Sequence, residues 1–414
     1  MDTLRRILFA AFVVGLGLSI TLSQSALAAL TALWLWRLRD PGARRAQPWP
    51  FWAPVPAFAG VTLLSALLSG ELALSLIASK GLLLMAALYV TADALDDVGS
   101  AGRFLTLLSA VAAIAAGIGL LQVAVCPGPG VDAGTPAWLY HRCHRARGPF
   151  SIYMTLAGIL TLTLLATLPR LLPGAPRRPW FLPLWLIMLG GLIASYTRGA
   201  WLGFAAGVLA LLPASRRGRV ILVAGLAALV LGLLAGPPGL RHRFLSMGDP
   251  EEATVKERRY MWESGLMMAR VRPWLGFGPG GVKREYRRFS LEEALKKRTG
   301  HVHNTPLQIL VERGVIGLAA WLWIWVAFYA YAIGVLRRLA PDAVAARTVV
   351  IGSLAAITGF LVGGLSEYNF GDSEVVMVAW AIAALPSVVA RDPAATASAA
   401  ELSTLRTARS TSGP

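Results

Sequence analysis

Apolar residues in this chain come in long unbroken runs rather than in alternating or one-faced patterns. A hydrocarbon core about 30 Å thick takes roughly 20 apolar residues in a helix. Runs of that kind recur over residues 7–20, 22–36, 53–70, 72–95, 101–125, 152–172, 180–197, 199–214, 219–236, 314–336, 346–368 and 373–390. The pattern predicts an all-α polytopic membrane protein with about twelve transmembrane helices, the first two short enough to form one bent element. The first run carries no small-residue cleavage site and reads as a retained span.

The polar stretches between runs set the orientation. Arg5 and Arg6 precede the first span, and Arg37, Arg39, Arg44 and Arg45 follow the second. Arg170, Arg177 and Arg178 follow the sixth, Arg216, Arg217 and Arg219 the eighth, and Arg337, Arg338 and Arg347 the tenth. Twelve spans put all of these on one face, and short loops rich in Lys and Arg stay cytoplasmic. Both termini then lie on the cytoplasmic side of an inner membrane. The expected organisation is spans 1–9 over residues 1–236 with an outward loop at 126–151, a long outward segment at 237–313, spans 10–12 over 314–390, and a tail at 391–414. That tail is rich in Ala, Ser, Thr and Arg and is expected to be disordered. An outward segment as long as 237–313 in a compact membrane protein is usually functional.

Composition agrees. The 414 residues are 56% hydrophobic and 15% charged, with a mean hydropathy of +0.60, outside the range of ordinary soluble domains. A net charge of +17 raises the question of nucleic acid. The arginines, however, cluster between apolar runs instead of lining a soluble face, so no nucleic-acid partner is expected. Cys126 and Cys143, the chain's two cysteines, fall in one outward loop, where an oxidising compartment permits a disulfide between them.

Candidate chemistry concentrates in 237–313. Asp249-Pro250-Glu251-Glu252 reads as an N-cap, a first-turn proline and first-turn acids, predicting a helix to about Val271 that Pro273 stops. On it Arg258 and Trp262 share a face at i and i+4, with Arg259 beside them. Gly276-Phe277-Gly278-Pro279-Gly280-Gly281 lacks the strand that a dinucleotide fingerprint requires and reads as a tight turn. Ser290-Leu291-Glu292-Glu293 reads as a capping box opening a short basic helix that ends near Gly300. Thr305 as N-cap, Pro306 and Gln308 mark a further helix, with His301, His303 and Asn304 just before it. A helix N-terminus disfavours imidazolium and attracts phosphate, and a neutral imidazole is what a general base must be.

Each residue also has a plainer reading. The histidines form no recognisable metal set with a third ligand nearby, and either one fits a purely structural hydrogen bond. Arg258 and Arg259 fit solvated or headgroup-facing residues. Arg198 joins two apolar runs at the outer face, where a charge either snorkels or binds something. Lys80, within the fourth span, poses the same question, with snorkelling or internal pairing as the favoured answer.

Taken in order, Thr197-Arg198-Gly199-Ala200-Trp201, Arg258 with Trp262, Pro273-Trp274-Leu275-Gly276-Phe277-Gly278-Pro279-Gly280, His303-Asn304-Thr305-Pro306-Leu307-Gln308 and Glu312-Arg313-Gly314-Val315-Ile316-Gly317-Leu318 resemble the O-antigen ligase and polymerase superfamily of bacterial membrane proteins. Arg147-Gly148-Pro149-Phe150 is similar to the loop that precedes that family's central domain, although the asparagine-rich continuation common there is absent. The resemblance implies a GT-C-like glycosyltransferase architecture with a periplasmic active site. It implies a metal-independent enzyme, without cofactor, that moves a glycan from undecaprenyl diphosphate to a sugar hydroxyl of lipid A–core within membrane lipids. Carried onto this chain, it makes His303 the base and Arg198 and Arg258 the catalytic cations, with Arg259, Asn304, Arg147 and His301 as substrate-binding residues. The motifs leave open an O-antigen polymerase, whose acceptor is a second lipid-linked glycan, and a protein O-oligosaccharyltransferase. A transporter is the alternative of a different class.

Overall fold

A computed structural model describes residues 2–126, 144–176, 178–213 and 216–396. In chain order its main helices are α1 (Asp2–Leu18), α2 (Ile20–Arg37), α3 (Pro41–Ala46), α4 (Pro54–Leu67), α5 (Leu72–Ala78), α6 (Ala86–Ala94) and α7 (Val98–Ala124). There follow α8 (Tyr153–Thr167), α9 (Phe181–Ala194), α10 (Arg198–Ala210), α11 (Arg216–Ala235), α12 (Pro238–Leu245), α13 (Ala253–Val271) and α14 (Gly281–Glu285). The last are α15 (Thr305–Arg338), α16 (Val344–Gly363), α17 (Ser373–Arg391) and α18 (Pro393–Thr396). No strand occurs among the described residues.

Seven helical runs among the described residues are long and apolar enough to cross a membrane, including Leu72–Ala94, Val98–Ala124 and Thr305–Arg338. Each of the twelve predicted spans falls on a helix or helical run. Several are short, however: Pro54–Leu67 and Phe181–Ala194 each have 14 residues, near 21 Å of helix at about 1.5 Å per residue. Of the expected cysteine pair, Cys143 lies outside the described residues, as do Arg177 and the tail from 397.

Two close approaches position the site. Gly199, Gly203 and Gly207 repeat every fourth residue on α10; the first two face Gly363 and Gly359 on α16, and Gly207 faces Ala355 there. A Cβ on Gly203 would run into the Gly359 carbonyl, so the backbones touch directly. Small residues at this spacing let helices pack without side chains between them. The contact holds the N-terminus of α10 against the C-terminus of α16. The second approach breaks α15. Gly314 adopts φ 67° and ψ −171°, and the backbone of Trp274 occupies the space a side chain would need. The Val315 N–H donates to the Pro273 carbonyl at 2.7 Å, and Ser65 on α4 donates to the carbonyls of Leu275 and Glu312 at 2.6 and 2.8 Å. The glycine-rich turn after α13 is thereby clamped onto the membrane bundle. At the opposite end, Asp93 pairs with Arg37 at 2.7 Å and Arg5 at 3.6 Å, fastening α1, α2 and α6 together.

Three local expectations are corrected. The helix predicted from Asp249 begins at Ala253, because the Glu252 carboxylate, not Asp249, accepts from the Thr254 and Val255 N–H groups, each at 3.0 Å. Residues 290–300 form no helix. Glu257 of α13 accepts from the Leu295 and Lys296 N–H groups at 3.0 and 2.8 Å, a tertiary bond pair that replaces the helical ladder. The helix cap before Pro306 is Asn304 rather than Thr305, with its Oδ1 accepting from Leu307 N–H at 2.9 Å.

Candidate active site

Arg198 opens α10 and is 7% exposed. Its guanidinium reaches the Glu252 carboxylate through both terminal nitrogens, at 3.0 and 2.8 Å, and donates to Ser246 Oγ at 2.8 Å. Arg243 of α12 shares the same carboxylate at 3.3 Å. Glu252 therefore does two things at once, capping α13 and holding two arginines from separate segments. Burial works against its charge, but hydrogen bonds from Arg198, Thr254 and Val255, together with the Arg198 charge, hold its carboxyl down at about 2.

Glu367 is the centre of a second cluster. It lies in the short link after α16, which is fixed by the Thr305 N–H donating to the Gly364 carbonyl at 2.7 Å and by Asn304 donating to the Leu365 carbonyl at 2.9 Å. One carboxylate oxygen pairs with Arg258 of α13, and the other meets His303 Nδ1 at 3.2 Å. Glu367 is 8% exposed. Burial opposes its charge, yet the hydrogen bond from His303 and the nearby Arg258 keep its carboxyl below the usual range. His303 itself has φ 49°, a left-handed conformation uncommon outside glycine that costs of order 1–3 kcal/mol and persists only where the surrounding structure enforces it. A carboxylate at Nδ1 favours the tautomer with hydrogen there and leaves Nε2 as the proton acceptor.

Both clusters line one cavity of about 640 Å³ beneath α13. Four predicted residues, Arg198, Arg258, Arg259 and His303, are in its wall, and Trp262 lies beside Arg258 as the i, i+4 spacing implies. Arg259 is largely exposed and paired with Glu263 at 2.9 Å. His301 borders the cavity's neighbour, a hollow of about 270 Å³ that shares Glu367 and Thr197 with it. The His301 and His303 rings lie 4.3 Å apart, and burial, then the neighbouring His303, lower His301 to about 4. The remaining two are not brought into the cavity wall. Asn304 is engaged at both ends of its amide, Oδ1 as the helix cap and Nδ2 donating to the Leu365 carbonyl, and Arg147 donates to the Ser151 carbonyl at 3.2 Å. Sequence reasoning missed Glu367, Glu252, Arg145 and Arg243, all of which line the site or pair with residues that do. An acid at the outer end of a predicted span was the available signal for Glu367, since such groups are costly without a partner. Among the described residues, no three His, Cys, Asp or Glu side chains gather as a metal site.

Residues 183–322 match the protein family described as O-antigen ligase, and this stretch contains Arg198, Arg258 and His303. The matched segment is similar to that family and covers about a third of the chain. The superfamily resemblance carried by the ordered motifs is thus supported independently. A curated O-antigen ligase from Pseudomonas aeruginosa is 31% identical over 200 residues, which are 46% of this chain and 43% of that protein. The alignment spans less than half the relative's length. Glu367 lies outside the family segment and joins the site only through the fold.

Chemically, the arrangement combines fixed cations with an oriented imidazole. Guanidinium groups stay charged and grip phosphate oxygens in a fork, which suits a departing diphosphate. An imidazole held by a carboxylate suits proton removal from an attacking hydroxyl.

Proposed function

We propose that the chain is an O-antigen ligase that transfers a glycan from undecaprenyl diphosphate to a sugar hydroxyl of lipid A–core on the periplasmic side of the inner membrane. The observation that carries this reading is the Arg258–Glu367–His303 cluster facing the same cavity as Arg198, within and beside a segment similar to the O-antigen ligase family. In this reading all twelve apolar segments cross the bilayer in a GT-C-like arrangement, with both termini cytoplasmic.

The acceptor hydroxyl loses its proton to His303 Nε2 as its oxygen attacks the anomeric carbon. The C–O bond to the diphosphate breaks in the same step, and its electron pair leaves on the phosphate oxygen. Arg258 and Arg198 neutralise that developing charge. Glu367 stabilises the imidazolium formed on His303, and the proton later passes to solvent or to the released diphosphate. A single displacement inverts the anomeric carbon. The diphosphate linkage is already activated, so neither nucleotide nor metal has a part in the reaction as proposed.

The test is a pair of substitutions in an assay of transfer with purified protein. His303→Ala should lower turnover by about 10²–10⁴-fold, the usual contribution of a general base, with donor binding retained. Arg258→Ala should weaken donor binding as well. Unimpaired transfer by His303→Ala removes the proposed base. Lengthening of glycan on the lipid carrier, with no product on lipid A–core, makes the chain a polymerase instead.

A further inference from the structure

The helical run Leu72–Ala94 is broken in its middle. Residues Ser79–Met85 form a 3-10 helix between α5 and α6, and Lys80 stands in its first turn. Irregular backbone at membrane depth is tolerated where it is buried in protein or lines a cavity. Here it lines one of about 590 Å³, separate from the cavity of His303 and on the other side of the link that carries Glu367 and Tyr368.

The lining of this second cavity is sorted by polarity. Its apolar wall comes from Ile20 and Leu27 on α2, Leu83 and Leu84 on the broken segment, and Val376 and Trp380 on α17. Its polar end holds Lys80, Lys283, Gln308, Glu312 and Arg313. The single carboxylate there is taken, because Glu312 pairs with Arg313 at 3.1 Å and accepts from Gln308 at 2.9 Å. Lys80 and Lys283 are exposed and make no ion pair among the described residues, so of the snorkelling or internal pairing expected of Lys80 the pairing is not found. The two lysines are held at the same end by the turn between them. Arg284 donates to Ser75 Oγ at 2.9 Å and to the Pro279 carbonyl at 3.0 Å, tying the helix of Lys283 onto the helix that leads to Lys80.

We infer that this cavity binds the phosphate-bearing headgroup of a glycolipid, with Lys80 and Lys283 on the phosphate and the acyl chains along α2 and α17. Resting on the transfer reading above, the occupant is the acceptor. The reaction joins two amphiphiles, and the arginine cavity is occupied by the donor. Planar guanidinium forks match a diphosphate, whereas ammonium groups act as point charges and suit isolated phosphates. The two headgroups then meet across the Glu367–Tyr368 link, beside His301 and His303. Lys80 and Lys283 are exposed at the mouth of an apolar slot and make no ion pair among the described residues, so both ammonium groups are available to an anion that enters it.

The test is equilibrium binding to the purified full chain in detergent, read without transfer. The probes are phosphorylated lipid A and its phosphatase-treated counterpart. The chain should bind the phosphorylated form at least tenfold more tightly. Lys80→Ala with Lys283→Ala should abolish that preference, while Lys80→Arg with Lys283→Arg keeps it and shows that the fold tolerates change at both positions. Arg258→Ala should leave the preference intact. Undecaprenyl diphosphate and phosphatidylglycerol, at equal concentration, should not displace the probe. An unchanged preference in the double alanine variant overturns the inference. Displacement by undecaprenyl diphosphate makes this the donor's cavity, and displacement by phosphatidylglycerol makes it a bulk-lipid site; either also overturns it. A chain that binds as described yet transfers nothing refutes the proposed function alone.

Discussion

Glu367→Gln is the most informative single substitution at the site. Glutamine keeps the size of the side chain and can still hydrogen-bond Arg258 and His303, but it removes the charge that both partners share. That carboxylate lies 3.2 Å from His303 Nδ1, where under the proposed mechanism it stabilises imidazolium as the acceptor proton arrives. A hydrogen bond to a charged group contributes about 1.5–3 kcal/mol. Taken wholly from the transition state, this corresponds to a rate loss of about 10- to 150-fold, since each 1.36 kcal/mol is tenfold. The loss should fall on turnover more than on donor KM, because His303 matters while the proton moves. Initial rates of glycan transfer, with a thermal melt of each preparation to confirm folding, measure it. Turnover within twofold of the unsubstituted protein refutes the view that Glu367 supports the base.

The remaining predictions concern the scaffold. Glu252 holds stability above its ordinary carboxyl value of 4.5 that is lost as pH falls toward about 2, so Glu252→Gln should melt lower than the parent at pH 7, with the gap closing in acid. His301, lowered to about 4, runs the same way for a different reason. The unfolded imidazole takes up protons below about 6.5 before the folded one does, so stability declines between those values, and His301→Asn should flatten that part of the melting profile. Gly203→Val puts a side chain into the Gly359 carbonyl and should cost at least about 1–3 kcal/mol, read as lowered Tm together with lost transfer. Gly314→Val meets the Trp274 backbone at positive φ and should be at least as damaging, with less folded protein recovered on purification.

Much of the helical layout was legible because period and length speak plainly in apolar runs. Every predicted span falls on helix, and α13 ends at Val271 just ahead of Pro273 as expected. What failed was local capping overridden by distant partners. Asp249-Pro250 carries the stronger cap pattern, but Glu252 wins because its carboxylate also binds Arg198 and Arg243. The 290–300 stretch has a capping box, yet Glu257 takes two of its N–H groups. The motif order indicated Arg198, Arg258 and His303, and the fold brings all three to one cavity. Glu367 stayed hidden because it looks like the end of a span. Its place at the cavity follows from the glycine contact between α10 and α16, which no local pattern around Glu367 announces.

The most direct test of the central claim is reconstitution. Purified protein is given undecaprenyl-diphosphate-linked glycan, with and without lipid A–core, in excess EDTA. The account predicts glycan on lipid A–core that still forms in EDTA, with the anomeric carbon inverted. No transfer to either acceptor by a folded, donor-binding preparation would contradict it and return the chain to the transporter reading.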